Sequence, residues 1–143
     1  VRAEQQAGAL CWAEARHAPL DVIDAIGGSG PLSQLRGKAV AAFCGIGNPE
    51  GFRLTLEGLG VGLKGFRAFP DHHPYTAADV AELAGWVRGL GVELALTTQK
   101  DLVKLRADAL AQAALRAVRI GLEIIEGSEL LEARLARLLP SGR

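Results

Sequence analysis

The stretch KAVAAFCGIGNPEGFRLTLEGLG, residues 38–60, decides the fold class of this chain. The run KAVAAFCGIG is apolar almost throughout and ends in glycines, which is typical of a strand buried on both faces. The remainder predicts a helix, with Asn48 as N-cap, Pro49 at the first helical position and Gly58 or Gly60 as the stop. A buried strand followed at once by a helix indicates an α/β domain with a parallel sheet.

The same alternation of strand and helix patterns extends in both directions along the chain. Upstream, a strand at 9–15 is followed by a short amphipathic helical piece at 19–27 and by a loop at 28–37 rich in Gly, Pro and Ser. Downstream, strands are predicted at 61–69, 92–98 and 114–124, and helices at 76–91, 99–110 and 127–139. This order predicts βαβ units, and therefore an α/β fold with a twisted, parallel-type sheet between helical layers, a P-loop-like or Rossmann-like three-layer sandwich.

Composition narrows the possible functions. The 143 residues carry 16 Lys plus Arg and 16 Asp plus Glu, so no net charge attracts nucleic acid. No apolar run approaches the ~20 residues that are needed to cross a bilayer. Cys11 and Cys44 lie in apolar stretches without CxxC spacing, which favours buried thiols over a disulfide or a zinc site. The chain contains no methionine, so we expect it to be a piece of a longer protein.

Three polar loops follow predicted strands, at 45–49, 70–75 and 97–101. The carboxyl ends of parallel strands lie along one edge of a sheet, and ligands of such folds gather there. We therefore expect the three loops to meet and to form the functional site.

The first loop, GIGNPEG, has the position of a dinucleotide fingerprint but carries Glu50 where GxGxxG requires a third glycine. A carboxylate at that position would repel a pyrophosphate. No GxxxxGK[ST] phosphate loop (Walker A) occurs in the chain. A tight strand-to-helix turn is therefore favoured over nucleotide binding, although backbone amides at a helix start can still face an anion.

The second loop, PDHHPY, permits three interpretations. Asp71, His72 and His73 are potential metal ligands, but contiguous side chains cannot easily all turn to one ion, and His17 is the chain's one further histidine. A histidine beside a carboxylate at a strand end also suits proton transfer, because the acid orients the ring and raises its basicity. The third interpretation is a rigid turn, in which the flanking prolines fix the backbone and Tyr75 packs.

The third loop, TTQKD, starts a helix with Thr98 as N-cap and Asp101 at the third helical position. Lys100 lies in the first turn, where the helix dipole disfavours a cation. This placement favours a role for Lys100, either in an ion pair with Asp71 or in contact with an anionic ligand.

Taken in order, three segments resemble the carboxy-terminal part of the tetraacyldisaccharide 4′-kinases, the kinases of lipid A biosynthesis. They are AFCGIGNPEGFRLTLEGLG (42–60), FPDHHPYTAADVAEL (69–83) and LALTTQKDLVKL (94–105). The similarity is strong from Arg36 to Leu105 and looser from there to the end of the chain. Three spaced motifs in the family's order are more specific than any one of them.

The resemblance implies a kinase of two α/β domains that transfers the γ-phosphate of ATP to the 4′-position of a tetraacyldisaccharide 1-phosphate. Residues 1–36 would then be a connecting segment, a strand plus a short helix, and 37–143 the carboxy-terminal α/β domain. ATP and Mg²⁺ would be bound mainly by the absent amino-terminal P-loop domain. The partners implied are that domain, the lipid A disaccharide precursor and, through the full-length protein, the cytoplasmic face of the bacterial inner membrane. The piece itself is expected to be soluble and inactive alone.

The resemblance also implies roles for individual residues. In the family, the first histidine of the Asp-His motif assists an aspartate of the amino-terminal domain in deprotonating the sugar hydroxyl. That role falls on His72, with Asp71 beside it. A place in the substrate or interdomain cleft is implied for five further residues: Asn48, His73, Thr98, Lys100 and Asp101. No residue of this chain is assigned to a metal or a cofactor.

Two other functions remain open from the residues themselves. One is a free-standing α/β module that binds a nucleotide or a phosphate at the glycine loop. The other is a DHH-type metal phosphoesterase built on Asp71, His72 and His73.

Overall fold

Strand β3, Ala39–Cys44, is buried along nearly its whole length, as predicted for a strand that is covered on both faces. The computed structural model, which describes residues 14–138, pairs it in parallel with β4 (Gly62–Ala68) on one side and β5 (Leu94–Thr98) on the other. Alternate residues of β3 belong to two separate core clusters. Ala41 and Phe43 lie in one, and Val40, Ala42 and Cys44 lie in the other.

The remaining elements follow the predicted alternation, with boundaries shifted by a few residues. The strands are β1 (Glu14–Ile23), β2 (Ser29–Gly30), β6 (Ala109–Leu110) and β7 (Ala113–Glu126). The helices are α1 (Pro49–Gly58), α2 (Ala77–Leu90), α3 (Gln99–Leu105) and α4 (Ser128–Leu138), with a short 3₁₀ helix at Leu32–Leu35.

Most of these elements belong to one compact unit, Pro19–Gly121. Its strand order is β2-β1-β7-β5-β3-β4; the β5–β7 pair is also parallel, while β2 pairs with β1 and β6 with β7 in antiparallel fashion. Helix α1 packs on one face of the sheet through Phe52 and Leu56. Helices α2 and α3 pack on the other face through Leu83 and Leu102. The prediction of a mostly parallel sheet between helical layers is confirmed.

The helix predicted at 19–27 is wrong, because β1 continues to Ile23 as a strand. Its alternation is that of a half-buried strand: Val22 is buried in the core, whereas the neighbouring Asp21 accepts a hydrogen bond of 2.8 Å from Nε of Arg119 on β7. A turn follows, in which Oδ1 of Asp24 accepts the backbone N–H of Gly28 at 2.7 Å. The strand predicted at 9–15 falls largely outside the described residues.

Two other boundaries also differ from the sequence prediction. Helix α3 ends at Leu105 rather than 110, because Arg106 adopts a left-handed conformation with φ of 51° and the chain turns into β6. The predicted loop 28–37 contains β2 and the 3₁₀ helix, whose Leu35 is fully buried and anchors the segment in the core.

The described part of the second unit consists of residues 14–18 and 122–138. Within it, Nε of Arg16 donates to Oε2 of Glu123 at 2.7 Å. Helix α4 buries none of its residues and exposes Leu130, Leu135 and Leu138. Across residues 14–138, each helix is too short or too polar to span a bilayer.

Candidate functional site

The three loops that follow β3, β4 and β5 meet at the carboxyl edge of the sheet, as the sequence predicted. Gly45, directly after β3, donates its backbone N–H to Oδ2 of Asp101 at 2.9 Å. The carbonyl of the same Gly45 accepts the backbone N–H of His72 at 3.2 Å. Nζ of Lys100 lies 3.6 Å from Oδ1 of Asp71. Contacts therefore join the first loop to each of the other two, and those two to each other.

The DHH run forms a tight turn. The backbone N–H of His73 donates to the carbonyl of Pro70 at 3.1 Å, which closes four residues with Asp71 and His72 in the central positions. His72 has φ of 60°, in the left-handed region that side chains seldom adopt. Such a conformation costs about 1–2 kcal/mol for an L-residue, so the surrounding bonds must hold it. The turn directs its two histidines to different environments.

His72 faces solvent, with 72% of its side chain exposed. Its Nε2 lies 3.6 Å from Oδ2 of Asp71, which is beyond hydrogen-bonding distance but close enough for attraction when the ring is protonated. The other oxygen of Asp71 faces Lys100. Asp71 thus lies between two groups that can carry positive charge, and the ion pair suggested for Lys100 is present.

His73, in contrast, packs against the protein and is only 21% exposed. Its ring stacks on Phe69 with centroids 4.7 Å apart and meets Tyr75 edge-on at 5.0 Å. Its Nε2 lies 3.0 Å from Oδ2 of Asp79 in helix α2. These contacts give His73 a structural place. Its predicted contact with the cleft remains a prediction.

The predicted helix caps are confirmed. Oδ1 of Asn48 accepts the backbone N–H of Gly51 at 3.0 Å at the start of α1. Oγ1 of Thr98 accepts the backbone N–H of Asp101 at 3.2 Å at the start of α3. Both side chains therefore satisfy amide groups that a helix start leaves without an intrahelical partner.

Asp101 is fully buried, which its position in a surface motif did not reveal. Besides the bond from Gly45, its Oδ2 accepts the hydroxyl of Thr98 at 2.6 Å. Burial first, and then the negative charge of Asp101, raises the pKa of the Tyr75 hydroxyl well above its usual range. The same two causes raise the pKa of the Cys44 thiol to about 11. The predicted burial of Cys44 is confirmed, whereas Cys11 lies outside the described residues.

The packing predicted for Tyr75 is confirmed by its ring contacts with Phe43 and Phe69. Gly45 is a part of this site that the sequence analysis did not single out. A Cβ on Gly45 would lie 3.2 Å from each of Oδ1 of Asp101, the carbonyl oxygen of Pro70 and the hydroxyl of Tyr75. A side chain here would fit only if these oxygens moved by a few tenths of an ångström. The local signal was a glycine directly after a buried strand, but its partner Asp101 lies 56 positions away, beyond the reach of any local pattern.

Within residues 14–138 there is no group of three or more His, Cys, Asp or Glu side chains that could hold a metal ion. The DHH run is consistent with this, because His72 and His73 turn apart. Two cavities of about 660 and 680 Å³ lie outside the 70–75 turn. The first is at the amino ends of the strands near Lys38 and Arg116, and the second lies beside Ile26 and Val103.

Comparison with known protein sequences finds a family that matches this chain. The family model described as tetraacyldisaccharide-1-P 4′-kinase (LpxK) matches residues 2–140. The tetraacyldisaccharide 4′-kinase of Anaeromyxobacter dehalogenans is 44% identical over 127 residues, which are 86% of this chain and 33% of that protein. The corresponding kinase of a Methylobacterium species is 48% identical over 105 residues, 73% of this chain and 30% of that protein.

A solved structure agrees with the sequence matches. The LpxK protein of Aquifex aeolicus, crystallised in complex with ATP, superposes with a TM-score of 0.59 at 25% identity, covering 90% of this chain and 36% of that protein. The chain spans about a third of the length of these relatives. On the family match and the shared fold, the chain belongs to the tetraacyldisaccharide-1-P 4′-kinase family.

Proposed function

We propose that this chain is the carboxy-terminal domain of a kinase that transfers the γ-phosphate of ATP to the 4′-hydroxyl of a tetraacyldisaccharide 1-phosphate. Support comes from the family match over nearly the whole chain and from the share of about a third of each relative that the chain spans. Residues 37–143 form this domain and 1–36 connect it to an amino-terminal P-loop domain. That boundary is part of the proposal.

The residue that we propose to act in the reaction is His72. The observation that carries the proposal is its exposure, 72% of the side chain, at the carboxyl edge of the sheet beside the carboxylate of Asp71. An alcohol that attacks a phosphoryl group must lose its proton, and a histidine with a free ring nitrogen can assist in accepting it. His72 would assist an aspartate of the other domain in taking up the proton of the 4′-hydroxyl.

Asp71 and Lys100 set the charge around His72. Oδ2 of Asp71 lies 3.6 Å from Nε2 of His72, and Oδ1 of the same carboxylate lies 3.6 Å from Nζ of Lys100. Both side chains are about half exposed, so an anionic substrate can also reach the lysine. Four further residues would shape the cleft indirectly, as helix caps and packing groups: Asn48, His73, Thr98 and Asp101.

Nucleotide and Mg²⁺ are assigned to the rest of the protein. The chain has no GxxxxGK[ST] loop, and residues 14–138 offer no set of side chains suited to a metal ion. When bound by the amino-terminal domain, the ion neutralises charge on the transferring phosphate. The partners proposed are therefore that domain, the lipid A disaccharide precursor and the cytoplasmic face of the inner membrane, which the full-length enzyme reaches as a peripheral protein.

Turnover of the full-length enzyme tests the role of His72. We expect His72→Ala to lower kcat about 100-fold or more, the usual contribution of a group that assists proton transfer. His17→Ala, at an exposed histidine of the second unit, is the matched control and should leave kcat unchanged. Transfer of labelled γ-phosphate to the lipid acceptor is the measurement. Normal turnover by His72→Ala would overturn the assignment.

Experiments on the isolated chain test the proposal that the amino-terminal domain, and not this one, binds ATP. We expect neither ATP hydrolysis nor calorimetric binding of ATP by residues 1–143. Tight ATP binding by this chain would instead support a free-standing nucleotide-binding module, for which the backbone amides at the start of α1 are the candidate contact.

A further inference from the structure

The first turn of helix α3 contains a carboxylate that cannot touch a substrate. Asp101 is fully buried, yet it belongs to the Thr-x-Lys-Asp segment at the edge of the site. A buried charge is retained in a fold only where hydrogen bonds compensate for the lost water. Oδ2 of Asp101 accepts two such bonds, at 2.9 Å from the Gly45 backbone and at 2.6 Å from the Thr98 hydroxyl.

Gly45 links Asp101 to the DHH turn. Its N–H donates to Asp101, and its carbonyl accepts the backbone N–H of His72 at 3.2 Å. Gly45 is itself buried, and an added Cβ would lie only 3.2 Å from an oxygen of Asp101, of Pro70 and of Tyr75. A shift of the Asp101 carboxylate would therefore disturb the Gly45 peptide, because the two are joined by this hydrogen bond.

The bond from His72 to Gly45 matters because His72 is in a left-handed conformation, with φ of 60°. A histidine in this region needs a partner that fixes it there. Lys100, the neighbour of Asp101, faces Asp71 at the same time. The first turn of α3 thus restrains His72 in two ways. Asp101 acts through Gly45, whose carbonyl accepts the backbone N–H of His72. Lys100 acts through the carboxylate of Asp71, the residue before His72.

We propose that Asp101 is a positioning residue that fixes Gly45 and, through it, the turn that presents His72 for proton transfer. Its kinetic consequence rests on the function proposed above. The structural consequence, order in the turn 69–75, does not depend on that function.

The first test is kinetic and uses the full-length enzyme. Asp101→Ala is expected to lower kcat about 10- to 100-fold with KM for the lipid changed less than about 2-fold, as expected when a reacting group is misplaced and binding is retained. Asp101→Asn, which keeps one acceptor oxygen, should lie between this variant and the parent. Leu56→Ala, in the core on the opposite face of the sheet, is the control for lost stability and should keep the parent kcat below its unfolding temperature.

The second test is a double-mutant cycle with His72→Ala. If Asp101 acts through His72, then Asp101→Ala lowers turnover by no more than about 2-fold in the His72→Ala background. An equal loss in both backgrounds, or no loss in either, overturns the positioning role while His72 keeps its own. If His72→Ala alone leaves turnover unchanged, the proposed function fails instead.

The third test does not use activity. Hydrogen–deuterium exchange of the full-length Asp101→Asn protein should be faster than that of the parent in a peptide covering 69–75, and unchanged in one covering 53–58 of α1. Unchanged exchange in 69–75 overturns the proposal even if turnover falls. This variant also serves should Asp101→Ala fail to fold.

Discussion

Nε2 of His73 lies 3.0 Å from Oδ2 of Asp79, and the same oxygen accepts the backbone N–H of Thr76 at 2.8 Å. One carboxylate oxygen therefore joins the second histidine of the DHH run to the start of α2. His72, the preceding residue, points to solvent because the turn reverses the chain between them. The turn therefore places the two adjacent histidines in separate environments.

The Asp79 carboxylate should make stability depend on pH. Hydrogen bonds, first from the Thr76 backbone and next from His73, hold the pKa of Asp79 below its usual range. A carboxyl group whose pKa is lowered by folding stabilises the protein above its unfolded-state pKa of about 3.9, and this contribution is lost as pH falls through the lower folded-state value. We expect the free energy of unfolding to fall on acidification below about pH 5, and to fall less steeply in Asp79→Asn.

Urea unfolding at a series of pH values measures this effect. Asp108→Asn, at an exposed position outside the site, is the control and should follow the parent curve. If the free energy of unfolding fell equally steeply with acidification in the parent and in Asp79→Asn, protonation of the Asp79 carboxylate would not be linked to stability.

A side chain at Gly45 should destabilise the fold. In Gly45→Ala the new Cβ would lie 3.2 Å from three oxygen atoms, one of them the Pro70 carbonyl, which belongs to the backbone and cannot rotate away. We expect a loss of about 1–3 kcal/mol in the free energy of unfolding, as for other overpacked sites. Gly85→Ala in helix α2 is the matched control, because no atom lies within 4 Å of its added Cβ, and it should stabilise by about 0.4–1 kcal/mol. Equal effects of the two substitutions would contradict this packing.

The strands and helix caps that depend on neighbouring residues could be predicted from the sequence, whereas contacts between distant segments could not. The strand over 39–44 and the caps at Asn48 and Thr98 follow from hydrophobic runs and short-range hydrogen bonds, so both were predicted. The meeting of the three loops also followed, since parallel strands leave their carboxyl ends at one edge. The burial of Asp101 did not follow, because it depends on Gly45, 56 positions earlier.

The error in β1 has a related cause. The segment PLDVIDAIG carries apolar residues at spacings that suit both a short helix and a strand, and length alone could not decide between them. Tertiary contacts decided it: Asp21 meets Arg119 of β7, and Val22 enters the core. A pairing partner about 98 positions away lies outside the short stretch of sequence from which a helix or strand is predicted.

Thr97 and Thr98 should respond oppositely to the same substitution. Oγ1 of Thr97 is fully buried and has no hydrogen-bond partner among residues 14–138, so Thr97→Val removes an unsatisfied group at nearly constant shape. We expect a gain of about 1 kcal/mol in the free energy of unfolding. Thr98→Val removes a helix cap and a hydroxyl bound to Asp101, and should cost about 1–2 kcal/mol. Thermal unfolding of the two variants measures both, and destabilisation by Thr97→Val would show that this hydroxyl has a partner.

Cys44 should be inert in the folded protein. Burial, and next the charge of Asp101, raises the pKa of its thiol to about 11, so at pH 8 about one molecule in a thousand carries the reactive thiolate. In a Cys11→Ser background, which leaves Cys44 as the one thiol, we expect no reaction with a disulfide reagent within the time that unfolded chain reacts completely.

Adding Asp101→Asn to this background separates the effect of burial from the effect of the Asp101 charge. If the thiolate fraction limits the reaction, this variant reacts faster, because the opposing charge is gone; if access limits it, the rate stays that of local opening. Rapid reaction of Cys44 in the folded parent would contradict its burial.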